Sequence, residues 1–274
     1  MTIDPAVRAY YERRPEEDRL LAGPSQLEAA RTRRLIERHA PNPPATVLDI
    51  GGAAGTYALW MAEKGYTVHL VDPVERLVEE ARRRSARAAQ PINTCRVGDA
   101  RNLPFESGSA DVALMLGPLY HLTSAEDRAR ALSEAVRVLK PGGLLFAAAI
   151  SRWASALDGV ARDLFKEADH ADIVARALPD GQHRNPMGRM GAFTTAYFHR
   201  PDELRHEVAR AGFEVAAVYA IEGLAGFLPD FDRRWADPRQ RQDILRVAEQ
   251  LETEPFLLGA TPHLLAVGHK PAAA

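Results

Sequence analysis

The feature that most constrains the fold is a short apolar run followed by a glycine-rich turn near residue 50. Residues 46–50 are apolar with β-branched members, and residues 51–55 read Gly-Gly-Ala-Ala-Gly. A helix-like stretch follows over 57–64, and residues 66–71 form another apolar run. This order predicts a βαβ unit, because two parallel strands need a connection of about a dozen residues or more.

The same alternation of strands and helices continues to residue 150. Further helices are predicted over 77–89 and 125–139, and further strands over 93–97, 111–116 and 144–150, the last after a turn at 141–143. The pattern predicts an α/β fold, with a Rossmann-like, doubly wound sheet that is mostly parallel. Two later strands, over 213–219 and 261–269, suggest an antiparallel hairpin at the edge, which makes the last strand antiparallel.

We divide the chain into four segments. Residues 1–44 are helical in character and form an N-terminal lid, and residues 45–150 form the core. Residues 151–200 interrupt the alternation and are interpreted as a helical cap insertion, with a polar loop over 180–191. Residues 201–270 complete the sheet. The cap is expected over the carboxyl ends of the strands, where ligands bind in such sheets.

Composition limits the classes of protein that need to be considered. The 274 residues carry 35 Lys and Arg against 37 Asp and Glu, a net charge of -2 that gives no general attraction to nucleic acid. Cys95 is the only cysteine, so no disulfide forms within the chain. We find no segment typical of a signal peptide or a membrane span, and therefore expect a soluble, cytoplasmic protein with no membrane partner. The sequence leaves open whether the chain forms a homo-oligomer.

The glycine-rich turn is the first candidate binding site. Glycine lets the backbone approach a ligand closely, and the helix that follows presents unpaired N–H groups. The dinucleotide fingerprint G-x-G-x-x-G would place glycine at Ala53 and Thr56, so the match to that fingerprint is poor.

The turn instead resembles motif I of the class I S-adenosylmethionine-dependent methyltransferases, D-x-G-x-G-x-G. Asp49, Gly51 and Gly55 fit this motif, and Ala53 replaces its middle glycine. Residues 138–143 resemble the family's turn before the fifth strand. The resemblance covers about residues 45–150 and implies a methyltransferase of the small-molecule type that uses S-adenosyl-L-methionine.

The resemblance also implies a set of cofactor-binding residues, contributed by the lid and by the turns after the first four strands. They are Tyr11, Asp49, Gly51, Gly52, Ala53, Gly55, Asp72, Pro73, Asp99, Ala100, Leu116, Gly117 and His121. The family uses an acid at the position of Asp72 to bind the ribose hydroxyls, and a carboxylate offers two acceptor oxygens for that purpose. The acid at Asp99 is expected near the adenine amino group.

His121 and Tyr120, in the loop after the fourth strand, are the candidate catalytic residues. A histidine can accept a proton near neutral pH, although His121 could equally line the pocket or bond to the backbone. Tyr10 and Tyr11 either touch the cofactor or pack the lid on the core. Other polar candidates for the acceptor side, each with a purely structural alternative, are Tyr197, Phe198, His199, Arg200, Glu222 and His263.

Together these observations predict an N- or O-methyltransferase that acts on a small molecule, in bacterial secondary metabolism. A cap of about 50 residues favours an enclosed methyl acceptor. We expect no metal, because no carboxylate cluster of the catechol type is apparent. Residues 116–119, Leu-Gly-Pro-Leu, replace the Asn-Pro-Pro-Tyr motif of amino methylation, so nucleic acid is not an expected partner. The alternatives are a protein or ribosome methyltransferase, a non-catalytic S-adenosylmethionine-binding protein and a Rossmann oxidoreductase.

Overall fold

The computed structural model describes residues 4–13, 18–185 and 193–272, in which helices flank one large sheet. The α-helices are α1 (Pro5–Arg13), α2 (Ser25–His39), α3 (Thr56–Glu63), α4 (Glu75–Ser85), α5 (Pro118–His121), α6 (Ala125–Val138), α7 (Ala154–Ala161), α8 (His170–Asp180), α9 (Pro201–Arg210), α10 (Phe231–Ala236) and α11 (Pro238–Gln250). The strands are β1 (Thr46–Ile50), β2 (Thr67–Asp72), β3 (Thr94–Val97), β4 (Ala110–Met115), β5 (Leu139–Ser151), β6 (Gln182–His183), β7 (Ala196–His199), β8 (Glu214–Ala220) and β9 (His263–His269). Short 3-10 helices cover Arg19–Leu21, Leu164–Lys166 and Gly223–Phe227.

The sheet confirms the predicted Rossmann-like fold and its antiparallel last strand. The strands run in the order β3-β2-β1-β4-β5-β9-β8, and β9 is antiparallel to both of its neighbours. The expected antiparallel pair at the edge is also confirmed: β9 lies next to β5, and β8 forms the edge. The parallel strands and β8 all end at the same edge of the sheet, where β9 begins.

Both faces of the sheet are covered, as the apolar strands require. Along β4, Val112 and Leu114 pack in a cluster with residues of α2, α3 and α4. Ala113 and Met115 point the other way and pack with residues of α6 and α9. Burying one large apolar side chain in such a layer contributes about 1.5–3 kcal/mol. This packing holds the carboxyl ends of the strands in fixed positions.

Two local predictions need correction. Strand β5 begins at Leu139, five residues before the predicted start, so the expected turn at 141–143 lies inside the strand. The backbone N–H of Gly142 donates to Lys270 O, and that of Lys270 donates to Gly143 O, so this segment already pairs with the end of the chain's last strand. The irregularity shows instead in the register with β4, which jumps from Ala110↔Leu139 to Val112↔Leu144.

The cap is not only helical. It contains α7 and α8, but also the small antiparallel pair β6–β7, which sequence analysis did not predict. Strand β7 runs parallel to the last two residues of β5, opposite the side taken by β9. The hairpin therefore extends the sheet beyond the end of β4, beside α5. The polar loop predicted over 180–191 falls partly outside the described residues.

No helix among the described residues combines the length and the apolar character needed to cross a membrane.

Candidate active site

The glycine-rich turn after β1 is tightly packed from both sides. Gly51 has a left-handed backbone, with φ of +72°, and a Cβ there would lie 2.7 Å from the ring of Pro118. A Cβ on Gly52 would lie 2.7 Å from the carboxylate of Asp49. Ala53 also has positive φ, +47°, a conformation that costs a residue with a Cβ about 1–2 kcal/mol. The turn thus holds its backbone close to the ends of β1 and β4.

Asp72 fixes this turn from the end of β2. Its Oδ2 accepts the backbone N–H of Ala53 at 2.9 Å, and its Oδ1 accepts that of Val74 at 2.8 Å. Asp49 is buried nearby, and its Oδ2 has no hydrogen-bond partner among the described residues. Burial and the charge of Asp72 raise the pKa of Asp49 to about 7. A buried carboxyl group with an unsatisfied oxygen is suited to a ligand that brings a positive charge or an N–H donor.

These residues line a cavity of about 310 Å³, which we call the first cavity. Every predicted cofactor-binding residue lines it except Gly55. Gly55 immediately precedes α3 and has φ of +79°, and a Cβ there would lie 3.1 Å from the Ile92 side chain, so it packs behind the turn. The cavity thus joins the ends of β1, β2, β3 and β4 beneath the lid.

Asp99 lies in the first cavity but is already engaged by Arg101. The Arg101 backbone N–H and Nε both donate to Asp99 Oδ1 at 2.9 Å, and Nη1 donates to Asp127 Oδ2 at 2.8 Å. Burial would raise the pKa of Asp99, but its bonds to Arg101 hold it below the ordinary value. Arg101 also lines the cavity, and sequence analysis missed it. The only available signal was its spacing two residues after a candidate acid.

The lid reaches the loop after β4 through a pair of aromatic rings. The hydroxyl group of Tyr11 lies 2.7 Å from Nε2 of His121, and the two ring centroids are 5.2 Å apart. Arg76 of α4 donates to the Tyr11 carbonyl, and Tyr120 donates to Leu116 O at 3.1 Å. Burial lowers the pKa of His121 to about 4, so this ring is neutral near pH 7. Tyr11, Tyr120 and His121 form what we call the aromatic wall.

A second cavity, of about 350 Å³, lies on the other side of this wall. Its lining includes all three residues of the aromatic wall, together with residues of α2 and of the cap, which contains α7. Residues just after β8 and at the start of β9 complete it. Two of the predicted polar candidates, Glu222 and His263, lie here.

Glu28 of α2 joins them, and one side-chain oxygen or nitrogen of each of the three residues lies within 4.8 Å of the others. Sequence analysis missed Glu28, since acids are common in the first turn of a helix.

The charges in the second cavity are paired. Arg19 donates twice to Glu28, each time at 2.8 Å, and Nδ1 of His263 lies 2.6 Å from Glu222 Oε1. Burial opposes ionisation of Glu28, but Arg19 and His263 lower its pKa to about 2. Burial would likewise lower the pKa of His263, but Glu222 and Glu28 outweigh it and raise that pKa.

The expectation that the end of the cap faces the acceptor is wrong for His199. This residue is fully buried, and its Nε2 lies 3.2 Å from Glu207 Oε2, so it lines neither cavity in the described part of the chain. Tyr197 packs its ring under the guanidinium group of Arg128, 3.6 Å from the ring centroid. Both residues tie the cap to α6 and α9 and have a structural role.

Comparison with known proteins gives matches in the core and over the fold. Residues 48–147 match a family described as a methyltransferase domain. A ubiquinone/menaquinone biosynthesis C-methyltransferase of Acidiphilium cryptum is 29% identical over 194 residues, covering 70% of this chain and 75% of that protein. An uncharacterized methyltransferase of Mycobacterium tuberculosis is 34% identical over 99 residues, which are 36% of this chain and only 37% of that protein.

Among solved structures, an S-adenosylmethionine-dependent methyltransferase from Mesorhizobium loti superposes with a TM-score of 0.60 at 18% identity. The match covers 89% of this chain and 99% of that one. At this identity the likeness shows that the two chains share a fold.

Proposed function

Because the chain belongs to the class I S-adenosylmethionine-dependent methyltransferases, we propose that it methylates a nitrogen or oxygen atom of a small molecule bound in the second cavity. The observation that carries this proposal is the aromatic wall, whose three residues line both cavities. A methyl acceptor in the second cavity would therefore reach the first across one layer of side chains.

The first cavity suits S-adenosylmethionine on the chain's own features. The unsatisfied Oδ2 of Asp49 offers an acceptor for the ammonium group of the methionine moiety, and Gly51 and Gly52 leave no room for side chains beside it. Asp72 would hold the ribose hydroxyls, and the Asp99–Arg101 pair would meet the adenine. When bound, the cofactor supplies a methyl group on a sulfonium ion, ready for displacement by a nucleophile.

The protein's contribution to such a displacement is positioning and exclusion of water. The lid helix α1 closes over the first cavity through Tyr11, and the neutral ring of His121 holds the Tyr11 hydroxyl group in place. Tyr120 is fixed by its bond to Leu116 O. We propose that His121 and Tyr120 shape the passage between the cavities; a direct catalytic role for either residue stays a prediction.

The acceptor is proposed to be small because the second cavity has a volume of only about 350 Å³ and lies between residues of the lid and of the cap. It has room for a drug-sized molecule or smaller. A ribosome or a folded protein would have to insert one side chain or base beneath both lid and cap. The Acidiphilium relative is named as a C-methyltransferase, which adds methylation at carbon as a second candidate reaction. Bacterial secondary metabolism remains the proposed setting.

Isothermal titration tests the cofactor assignment before any acceptor is known. We expect micromolar binding of S-adenosylmethionine and S-adenosylhomocysteine and no binding of NAD or NADP. Asp72→Ala should weaken cofactor binding at least tenfold, about 1.4 kcal/mol, whereas Asp243→Ala, at a half-exposed side chain that lines neither cavity, should leave it unchanged. Failure of both sulfur compounds to bind, or binding of a nicotinamide cofactor instead, would overturn the assignment.

Transfer of a tritiated methyl group to a panel of phenols, amines and carboxylic acids then tests the acceptor class. Product extracted into organic solvent supports a small acceptor. Label found only in added ribosomes or protein would contradict it.

A further inference from the structure

Glu222 and His263 meet at the edge of the sheet that carries the proposed active site. Glu222 follows the end of β8, and His263 begins β9, opposite Ile150 near the end of β5. The antiparallel insertion of β9 is what brings its first residue to the carboxyl ends of the parallel strands. Both side chains line the second cavity.

Glu222 is held so firmly that it determines which nitrogen of His263 carries a proton. Its Oε2 accepts the Thr261 hydroxyl group at 3.0 Å and the His263 backbone N–H at 3.1 Å. Its Oε1 faces Nδ1 of His263 at 2.6 Å. A carboxylate only accepts hydrogen bonds, so Nδ1 must donate. Neutral His263 then has its lone pair on Nε2, as in other carboxylate–histidine pairs.

Nε2 of His263 is the nitrogen left for a ligand. It has no hydrogen-bond partner among the residues that the structure describes, and 18% of the His263 side chain is exposed. The charged groups that face the ring are Glu222, Glu28 from α2 and Arg19 from the first 3-10 helix. Asp158 of α7 and Arg162, which follows that helix, line the same cavity.

His121 is less suited to accept a proton. Its Nε2 already lies 2.7 Å from the Tyr11 hydroxyl group, and burial lowers its pKa to about 4. Base catalysis is most effective when the pKa lies near the working pH. The pKa of His263 moves the other way, because Glu222 and Glu28 raise it above its ordinary value.

We propose that His263, held by Glu222, is the base that removes a proton from the methyl acceptor, and that the acceptor carries a phenolic or enolic hydroxyl group. This proposal rests on the proposed function. Aromatic side chains in the cavity, among them Tyr10, Phe193 and Phe227, suit a flat ring. An alkylamine whose nitrogen already has a free lone pair would not need such a base for the attack itself.

In the proposed step, Nε2 of His263 takes the hydroxyl proton while the acceptor oxygen forms a bond to the methyl carbon. The carbon–sulfur bond breaks, and its electron pair stays on sulfur. The positive charge of the sulfonium ion is thereby replaced by the positive charge of the imidazolium ring. Glu222 and Glu28 lie beside that ring and stabilise the charge where it arrives.

The first test is the protonation of His263, followed by NMR of histidine-labelled protein loaded with S-adenosylhomocysteine and assigned with His263→Gln. We expect the neutral ring to carry its proton on Nδ1, and Glu222→Gln to lower the His263 pKa by about one unit or more. A proton on Nε2 in the neutral ring, or a ring that does not titrate, would overturn the proposal.

The second test is turnover with catechol and 4-methylphenol as hydroxyl probes and tyramine as a probe with both groups. His263→Gln should lower kcat about a hundredfold or more and remove the acidic limb of the kcat profile, while cofactor affinity stays within twofold. The exposed His206→Gln is the matched control. A loss of kcat below threefold, or methylation of tyramine only at its amine, would contradict the role of His263 as a base. So would turnover that needs an added divalent ion and is abolished by EDTA.

Cofactor affinity separates the two proposals. If S-adenosylmethionine does not bind the unaltered protein, the proposed function fails and this inference fails with it. If the cofactor binds and His263→Gln retains full turnover, only the inference fails. If none of the probes is methylated, the NMR measurement of the His263 protonation state is the test of the inference.

Discussion

The two cavities are similar in volume but are assembled from the chain in different ways. The first is built mainly from four turns that follow successive strands, between Asp49 and Asp127, with a few lid residues above them. The second takes its walls from segments as far apart as Tyr10 and His263. A ligand site made by consecutive turns of one repeating unit leaves a local pattern in the sequence. A site assembled at the meeting point of a lid, a cap and the last strand leaves none.

Because they are assembled differently, the two cavities should also respond differently to amino-acid substitutions. The first cavity depends on backbone shape and on two neighbouring acids, so small changes there should affect cofactor binding and stability together. The second depends on paired charges supplied by separate elements. Changes there should affect turnover while leaving cofactor binding intact. The aromatic wall belongs to both cavities and should show an intermediate effect.

The largest effect is expected from Gly51→Ala. The new Cβ would lie 2.7 Å from the Pro118 ring and would sit on a backbone with φ of +72°. Overpacking and strain together should lower the free energy of unfolding by roughly 2–4 kcal/mol and reduce cofactor affinity about a hundredfold or more. Urea unfolding and isothermal titration measure the two quantities.

Gly108→Ala is the matched control, since Gly108 has φ of +65° but open space around its Cβ position. It should destabilise by only about 1–2 kcal/mol and leave the affinity unchanged. Equal effects of the two substitutions would mean that close packing at the turn does not matter.

The next effect concerns pH. The pKa of Asp49 is raised from 3.8 to about 7, so in the absence of ligand the folded protein keeps this proton over a range where the unfolded chain loses it. Stability from this group is therefore complete below pH 3.8 and is lost as pH rises toward 7.

Asp49→Asn should remove that loss, so the variant gains roughly 2–4 kcal/mol relative to the parent between pH 4 and pH 8 while binding S-adenosylmethionine more weakly. The measurement is the difference in unfolding free energy at each pH, with Asp243→Asn as control. A constant difference across the range would contradict the raised pKa.

The smallest effect is expected at the aromatic wall. Tyr11→Phe removes the hydroxyl group that lies 2.7 Å from Nε2 of His121. Losing one partly buried hydrogen bond costs about 1 kcal/mol, so cofactor affinity should fall about fivefold. Tyr66→Phe removes a hydroxyl that donates to Pro41 O at 2.7 Å, away from both cavities, and should leave binding unaltered. If the two variants bind the cofactor equally well, Tyr11 is not part of a functional lid.

The sheet and the first cavity could be predicted because their signals are local. Asp49 near the end of β1 and the glycine turn that follows specify the backbone shape within seven residues, and the same logic placed Asp72 and Asp99 at or just after strand ends. Arg101 escaped notice because its role depends on a bond to Asp127 in α6. The early start of β5 also escaped, since Pro141, Gly142 and Gly143 are typical of turns and only pairing near Lys270 keeps them in the strand.

The helices of the cap were predicted, and Glu222 and His263 were named as candidates, but the way these residues are assembled could not be predicted because they act through distant partners. His199 seemed a candidate for the acceptor side, but its position against Glu207 depends on how β7 meets α9. Glu28 is an ordinary helix-start acid until Arg19 and His263 are brought to it. Ion pairs between separate elements leave no spacing in the sequence, so composition and periodicity could not reveal them.

The position of β9 has a consequence for how the protein is made. Residues 263–269 fill the gap between β5 and β8, so both of those strands have an unpaired side until nearly the whole described chain has been synthesised. Exposed strand edges of this kind favour aggregation, and long-range pairing of this kind folds slowly. His263 is the first residue of this strand, so the step that adds β9 to the sheet also brings the proposed base into the second cavity.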